Sequence, residues 1–356
     1  MSKSRVLMGF TDFSEIRNNN IEYIDKTDIL EDIIYSGTNK VTLITRPRRF
    51  GKTLMLNMLS EFFDISKNSA KIFNGLKIAN NKELISLWMN SSPVIFISLK
   101  NMGRRSYHSS LYNLSYTISE FIDSHLYLLN SAKVSDLLKK SLVLFTDPLF
   151  SQNPIFENVL SSSLKSLCRA MFTHFEKPVI LLLDEYDVPL YSAEQNGYYD
   201  EMRDFIRTFL GSVLKDNPNL SFAFLTGCLR VAKESIFTGV NNFVCYSVAD
   251  VEYSDKFGFT DSEVDELLKK EGMLRKKEEI KQWYDGYCFG KNTSIYCPWD
   301  ILNYIKTLQA DPNALPKAYW MNTSENSIIQ KILERATSNL FDQDKKIEKL
   351  IEGKSI

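Results

Sequence analysis

The fold of this chain is decided by residues 41–59, VTLITRPRRFGKTLMLNML. The first five of these residues are mostly β-branched, and they predict a short buried strand. The last part carries apolar residues at helical spacing, from Leu54 to Phe62, which predict a helix with one apolar face. Residues 46–53 connect the two elements. The sequence therefore predicts a strand, a tight loop and a helix in close succession.

The connecting residues read RPRRFGKT and end in Gly-Lys-Thr at the predicted helix start. This layout is typical of a phosphate-binding loop, because successive backbone N–H groups and a helix N-terminus surround anionic oxygens. Lys52 would reach the β and γ phosphates of a nucleotide, and the Thr53 hydroxyl would ligate Mg²⁺. A basic surface turn before an ordinary helix is the alternative. The candidate nucleotide-binding residues are Arg48, Arg49, Phe50, Gly51, Lys52, Thr53 and Leu54.

One position of this loop departs from the usual pattern, G-x-x-x-x-G-K-[ST]. Arg46 stands at the first glycine position, and arginine does not adopt positive φ as readily as glycine does. Pro47 fixes its own φ and disfavours helical geometry at the residue before it. We therefore expect the loop to follow a different backbone path.

The composition limits the class of protein. The chain has 356 residues, of which 44% are hydrophobic and 24% charged, as in a soluble globular protein of one large or two ordinary domains. A net charge of −1 argues against a generally basic nucleic-acid binder. The five cysteines lack C-x-x-C spacing and the three histidines are isolated, so neither a zinc site nor a disulfide framework is indicated. With no signal-peptide pattern and no run near ~18 apolar residues, we expect a cytoplasmic protein.

A second signal lies at residues 178–187, PVILLLDEYD. Its continuous apolar residues predict a strand buried on both faces, as in a parallel sheet covered by helices. Asp184 and Glu185 follow at the carboxyl end of this strand, the edge at which open α/β sheets bind ligands. Asp184 would hold Mg²⁺, and Glu185 would orient and deprotonate an attacking water. Paired acids at a strand end are also common as plain turn residues.

A third polar strand end is predicted at residues 221–227, SFAFLTG. In phosphate-loop ATPases that insert an extra strand between the two motif strands, this end carries a sensor of the γ-phosphate, and Thr226 fits that role. Arg230 would stabilise transition-state charge or mediate a subunit contact. In a homo-oligomer, a neighbouring subunit could instead supply Arg203, Arg207 or Arg230. A helix-capping threonine and a surface arginine fit Thr226 and Arg230 equally well.

The flanking segments complete the predicted organisation. Residues 1–40 form an N-terminal helical segment, and its aromatic residues Phe10, Phe13 and Tyr23 are assigned to the core, with adenine contact as the alternative. Further strands are predicted at residues 93–99 and 243–248. After residue 250 the pattern is helical, and a capping box at Thr260 starts the first helix. The helices expected there are at residues 260–270, 277–283, 298–308, 325–336 and 343–352.

Several stretches together resemble the AAA-ATPase-like family of bacterial proteins. The resemblance covers residues 8–340, and Arg46 belongs to the family's own form of the loop. It implies ATP and Mg²⁺ as ligands. Longer members carry a restriction-endonuclease-like nuclease domain, which we expect to be absent from a chain ending at Ile356. The stretches are Tyr23-x-Asp-Lys-Thr27, Arg46-Pro-Arg-Arg-Phe-Gly-Lys-Thr53, Leu183-Asp-Glu-Tyr-Asp-Val-Pro189, Thr226-Gly-x-x-Arg230, Phe237-x-Gly-x-Asn-Asn242, Phe257-Gly-Phe259, Trp283-Tyr-Asp-Gly-Tyr287 and Pro298-Trp299.

The sequence and the resemblance predict an α/β fold with a P-loop NTPase core, a mostly parallel sheet with flanking helices. The core would occupy residues 1–250, and a smaller helical subdomain residues 251–356. The predicted function is Mg-dependent ATP binding with slow hydrolysis. The alternative is a nucleotide-dependent switch with negligible turnover, in which ATP orders the helical part for a protein partner. We expect no membrane association, and neither tight DNA binding nor DNA cleavage by the isolated chain.

Overall fold

The computed structural model describes residues 5–35, 40–228, 236–290 and 293–319. Its main sheet has five strands, all of them parallel to their neighbours. Two of the strands, those at residues 41–45 and 179–184, are buried along their whole length, as their apolar sequences predict. The strands are β1 (Val41–Thr45), β2 (Val94–Ser98), β3 (Val179–Asp184), β4 (Leu220–Gly227) and β5 (Phe243–Tyr246), in the order β2-β3-β4-β1-β5. The predicted α/β class is confirmed.

The strand order brings three polar strand ends together. β4 lies between β1 and β3, which confirms the predicted extra strand. In register, Thr45 of β1 pairs with Gly227 of β4, and Ser98 of β2 pairs with Asp184 of β3. Since parallel strands end at a common edge, the loop after β1, the acidic end of β3 and Thr226 lie side by side.

Helices cover both faces of the main sheet. Alternate strand residues enter two separate hydrophobic clusters, with Leu43 and Leu181 in one and Ile44 and Ile180 in the other. Each such aliphatic side chain contributes roughly 1.5–3 kcal/mol when fully buried. The α-helices of the described residues are α1 (Phe13–Asn18), α2 (Ile29–Tyr35), α3 (Lys52–Phe63), α4 (Ala70–Phe73), α5 (Lys82–Trp88), α6 (Tyr107–Ser124), α7 (Tyr127–Asn130), α8 (Asp136–Val143), α9 (Phe156–Ser161), α10 (Ser163–Phe175), α11 (Val188–Asn196), α12 (Tyr199–Leu214), α13 (Asp261–Glu271), α14 (Lys277–Tyr284) and α15 (Pro298–Ala310).

A second, smaller sheet follows the main one in the chain. It is antiparallel, with the strands β6 (Phe259–Thr260), β7 (Asp285–Phe289) and β8 (Thr293–Tyr296) in the order β6-β8-β7. The sequence predicts only helices and loops here, because β7 and β8 are short and Gly286 interrupts the strand pattern. The capping box at Thr260 is confirmed: its hydroxyl accepts the Glu263 N–H, and the Glu263 carboxylate accepts the Thr260 N–H.

The chain divides into two compact units, Met1–Leu302 and Asn303–Ile356. The domain boundary predicted at residue 250 stays a prediction. The helices predicted at residues 325–336 and 343–352 lie outside the described residues. Within the described ranges, no helix combines the length and the apolar character needed to cross a membrane.

Candidate functional site

The loop between β1 and α3 has the backbone that anion binding requires. Gly51 is the N-cap residue of α3, with a left-handed φ of 85°, and no side chain of the described residues caps this helix end. Arg49 also has positive φ, at 71°, whereas Arg46 does not. Glycine is therefore not needed at the first position of the pattern, which agrees with the expected change of backbone path. The first-turn N–H groups of α3, together with the Lys52 ammonium, are a donor set that fits a phosphate group.

Lys52 is buried inside this loop. Its Nζ donates to the carbonyl oxygens of Arg46 and Pro47, both at 2.8 Å, and lies 3.4 Å from the Cys228 Sγ. These acceptors hold the ammonium group within the loop itself. Because both carbonyls are neutral, phosphate oxygens would be stronger acceptors for the same donor.

The ends of β3, β4 and α3 meet in a set of oxygen atoms, Thr53, Asp184 and Thr226, which we call the strand-end site. The Thr53 hydroxyl donates to Asp184 Oδ2 and the Thr226 hydroxyl to Asp184 Oδ1, each at 2.6 Å. Asp184 is only 1% exposed, so its carboxylate is buried between these two hydroxyl groups. Carboxylate and hydroxyl oxygens suit Mg²⁺, which takes one or two protein oxygens and completes its shell with phosphates and water. In the part of the chain that the structure describes, no group of three or more His, Cys, Asp or Glu side chains could hold a metal.

Glu185 follows directly and is half-buried. Its φ is 55°, a left-handed conformation that costs a residue other than glycine about 1–3 kcal/mol and is found at functional sites. Burial raises the pKa of its carboxyl group, and the charge of Asp184 raises it further, against the opposing charge of Lys52. A raised pKa brings a carboxylate closer to the strength that a general base needs at neutral pH.

Asp187 also belongs to this edge, although it was not among the candidate residues. Its Oδ2 accepts the Cys228 N–H at 2.9 Å, and the neighbouring Tyr186 N–H donates to the Thr226 carbonyl at 3.1 Å. A Cβ atom on Gly227 would lie 2.5 Å from the Tyr186 ring and 2.8 Å from Asp187 Oδ1. The ends of β3 and β4 therefore require glycine at position 227. In the sequence, Asp187 and Gly227 fall within Leu183–Pro189 and Thr226–Arg230, two of the stretches that resemble the family. That was the signal that could have identified them.

The other loop candidates differ in their surroundings. Phe50 is 1% exposed and packs against Tyr287 and Phe289 of β7, with ring centroids 4.8 and 5.4 Å away. The Arg49 guanidinium lies 4.3 Å from the centroid of the Trp299 ring. Arg48 is exposed, and its charge opposes the rise in the pKa of Glu185 that burial causes. Leu54 is partly buried against the hydrophobic cluster that contains Ile44.

The remaining candidates have other partners in the structure or lie outside the described residues. Arg203 pairs with Asp200 at 2.6 Å and with Asp204 at 3.0 Å, and Arg207 lies 3.7 Å from Asp204. Arg230 lies outside the described residues. Phe13 is fully buried between Tyr23 and Phe73, in keeping with the core assignment.

Comparison with known proteins adds two findings. The model of a family described as "Predicted AAA-ATPase" matches residues 7–237. A protein of Azotobacter chroococcum mcd 1, "Uncharacterized protein in vnfD 5′ region", is 28% identical over 336 residues. That match covers 94% of this chain and 57% of the relative, so the chain spans little more than half of the relative's length.

Proposed function

The chain belongs to the AAA-ATPase-like family, and from this premise we propose that it binds Mg-ATP and hydrolyses it slowly. One observation carries the proposal: Asp184 accepts hydrogen bonds from the hydroxyl groups of both Thr53 and Thr226. This contact joins the phosphate loop, the acidic strand and the inserted strand at one point. An ordinary turn and helix would not need a buried carboxylate between two hydroxyl groups at a strand edge.

Each residue of the site has a role in binding. Lys52 exchanges the carbonyls of Arg46 and Pro47 for the β and γ phosphate oxygens. The backbone N–H groups at the start of α3 bind the same phosphates. Thr53 and Asp184 hold Mg²⁺. When bound, this ion neutralises charge that develops on the phosphate oxygens.

Hydrolysis depends on Glu185, a half-buried carboxylate that follows Asp184 in the chain and whose pKa is raised by burial. It orients the attacking water and accepts its proton. Thr226 keeps Asp184 in place through its hydrogen bond. We expect slow turnover, because Arg203 is paired with Asp200 and Asp204 of its own helix rather than with the strand-end site. Arg230 remains the proposed arginine for transition-state charge.

A second candidate is a nucleotide-dependent switch that binds a protein partner and hardly turns over. The observation in its favour is that the loop also packs against the small sheet, through Phe50 with Tyr287 and Phe289. Binding of phosphates to the loop would then change the surroundings of β7. Steady-state phosphate release separates the two candidates, since only the ATPase releases phosphate above background.

The test of the proposed function is the Lys52→Ala variant. Loss of the ammonium group should lower Mg-ATP affinity in calorimetry at least about 100-fold, because hydrogen bonds to charged groups are the strong ones. Lys67→Ala is the control: Lys67 pairs with Glu61 at the far end of α3, at 2.7 Å, and its loss should leave affinity unchanged. Equal affinity of wild type and Lys52→Ala would remove the phosphate-loop assignment.

A further inference from the structure

The residue at the missing glycine position is a fully buried arginine. Arg46 is 0% exposed and is among the largest fully buried side chains of the described residues. One terminal nitrogen of its guanidinium donates to the carbonyls of Thr45, at 2.9 Å, and Tyr246, at 3.1 Å. The other donates to the carbonyl of Tyr253 at 3.0 Å. The side chain therefore joins the loop to the end of β5 and to the segment that follows it.

Two aromatic rings enclose the same guanidinium group. Its Cζ lies 5.5 Å from the centroid of Phe257 and 5.2 Å from that of Phe289, within the range of cation–π attraction. Burial lowers the pKa of Arg46 to about 10, so the group is still charged at neutral pH. Within the described residues, the buried Nε has no hydrogen-bond partner. A buried charge bound to neutral carbonyls and rings is costly even with the charge of Asp250 acting on it, which argues against a role in stability alone.

The backbone of Arg46 belongs to the phosphate loop. Its N–H donates to the Gly227 carbonyl at 3.1 Å, and its carbonyl accepts the Lys52 ammonium at 2.8 Å. The side chain thus fixes the residue whose carbonyl holds Lys52. Loss of the Arg46 side-chain contacts would leave that carbonyl, one of the two carbonyl acceptors of Lys52, less firmly placed.

Phe50 attaches the loop a second time. Its carbonyl accepts the Gly258 N–H at 3.2 Å, and its ring packs against Phe289, which also lies beside Arg46. We call Arg46, Phe50, Phe257 and Phe289 the aromatic clamp. Both ends of the loop are therefore held by residues that lie more than 200 positions further along the chain.

We propose that Arg46 is a positioning residue for phosphate binding, which anchors the loop to β5 and to β7 and makes nucleotide affinity depend on the small sheet. The affinity part of this inference rests on the proposed function. Its consequence is unusual: Arg46→Gly restores the common form of the motif yet should weaken binding. Arg46→Lys keeps the charge but replaces the planar guanidinium, so it should restore affinity only in part.

The first experiment measures Mg-ATP affinity by calorimetry, well below the thermal unfolding midpoint of each variant. Arg46→Gly and Arg46→Met should both lose at least about tenfold in affinity, the equivalent of one lost hydrogen bond. Arg17→Met is the matched control, because Arg17 also donates to two backbone carbonyls, those of Ile72 and Asn74, at 2.8 and 2.9 Å. It should stay within about twofold of wild type, as a change remote from the site does. Equal affinity of Arg46→Gly and wild type would overturn the positioning role.

The second experiment needs no nucleotide. Hydrogen exchange is followed in the free protein for the amides of residues 256–258, where the Gly258 N–H donates to the Phe50 carbonyl, and for those of residues 285–289. In Arg46→Met both segments should exchange about tenfold faster or more, because local opening costs less there, whereas Arg17→Met should leave them unchanged. Unchanged exchange rates in Arg46→Met would contradict the proposal that the Arg46 side chain anchors the loop. If wild type binds no nucleotide, the proposed function fails, and faster exchange at both segments would still support Arg46 as the anchor of the loop.

Discussion

The strand-end site and the aromatic clamp hold the same loop by different means. At the strand-end site, Asp184 links two hydroxyl groups from neighbouring elements at 2.6 Å. In the aromatic clamp, a buried cation lies among backbone carbonyls and rings, 5.2 and 5.5 Å from the ring centroids. The first region carries the groups for chemistry, and the second sets where the loop lies. Substitutions in the two regions should therefore affect different measurements.

The largest expected effect concerns Glu185, which follows Asp184 of the strand-end site. Glu185→Gln should lower the hydrolysis rate by about 10²–10⁴-fold, the usual contribution of a general base. Mg-ATP affinity should stay nearly unchanged, because Lys52 and Thr53 are intact. Phosphate release and calorimetry measure the two quantities, with Glu83→Gln, an exposed position on α5, as the control. If wild type shows no turnover above the Glu185→Gln background, the nucleotide-dependent switch replaces the ATPase as the proposed function.

The next effect is on stability and concerns Gly258, which follows Phe257 of the aromatic clamp. A Cβ atom on Gly258 would lie 2.4 Å from Ile295 Cγ2 and 2.9 Å from Phe50 Cδ1, and the φ of Gly258 is 81°. Gly258→Ala should lower the free energy of unfolding by about 3 kcal/mol or more, since overpacking adds to backbone strain. Gly272→Ala is the control, with a similar φ of 71° and, among the described residues, no atom within 4 Å of the added Cβ. It should cost about 1–2 kcal/mol, the backbone strain alone. Equal losses in urea unfolding would contradict the close packing of Phe50.

Metal removal gives a smaller effect, confined to the strand-end site. Chelation of Mg²⁺ by EDTA should lower the ATP affinity of wild type about tenfold, the order of one charge-assisted contact. Asp184→Asn should show the same affinity with and without EDTA, because the amide has lost the charge that attracts the ion. Gly258→Ala should retain the wild-type response to EDTA. A response to EDTA in Asp184→Asn equal to that of wild type would assign the metal to other residues.

The strand-end site could be predicted from the sequence because each of its parts has a local signal. β1, β3 and β4 are apolar runs that end in polar residues, and parallel strands bring such ends to one edge. The contact between Thr226 and Asp184 could not be predicted, because it depends on side-chain orientation at that edge. The clamp carried no comparable signal. Arg46 meets Tyr246 across 200 positions, and its ring partner Phe289 lies on a strand too short to recognise.

The smallest expected effect concerns ion pairs beside the clamp. Lys256, next to Phe257, donates to Asp28 at 2.8 Å and so ties the chain beside the clamp to the N-terminal segment. Burial tends to raise the pKa of Asp28, but the hydrogen bonds and charges of Lys256 and Lys77 together outweigh it, and the pKa lies below its ordinary value of 3.8. A lowered carboxyl pKa means that the contribution to stability is present above 3.8 and is lost as the pH falls further.

Asp28→Asn should therefore lower the free energy of unfolding by only about 0.2–1 kcal/mol at pH 7, the size of a partly exposed pair. The difference from wild type should stay constant down to about pH 5 and shrink below the ordinary aspartate pKa, as urea unfolding across pH would measure. Asp136→Asn is the control, since its side chain is 92% exposed and lies 3.9 Å from Lys139. A loss at pH 7 as large as that of Gly258→Ala would mean that this ion pair stabilises the protein as much as the close packing at Gly258 does, against the small effect expected here. A loss that grows on acidification would reverse the sign assigned to the Asp28 pKa.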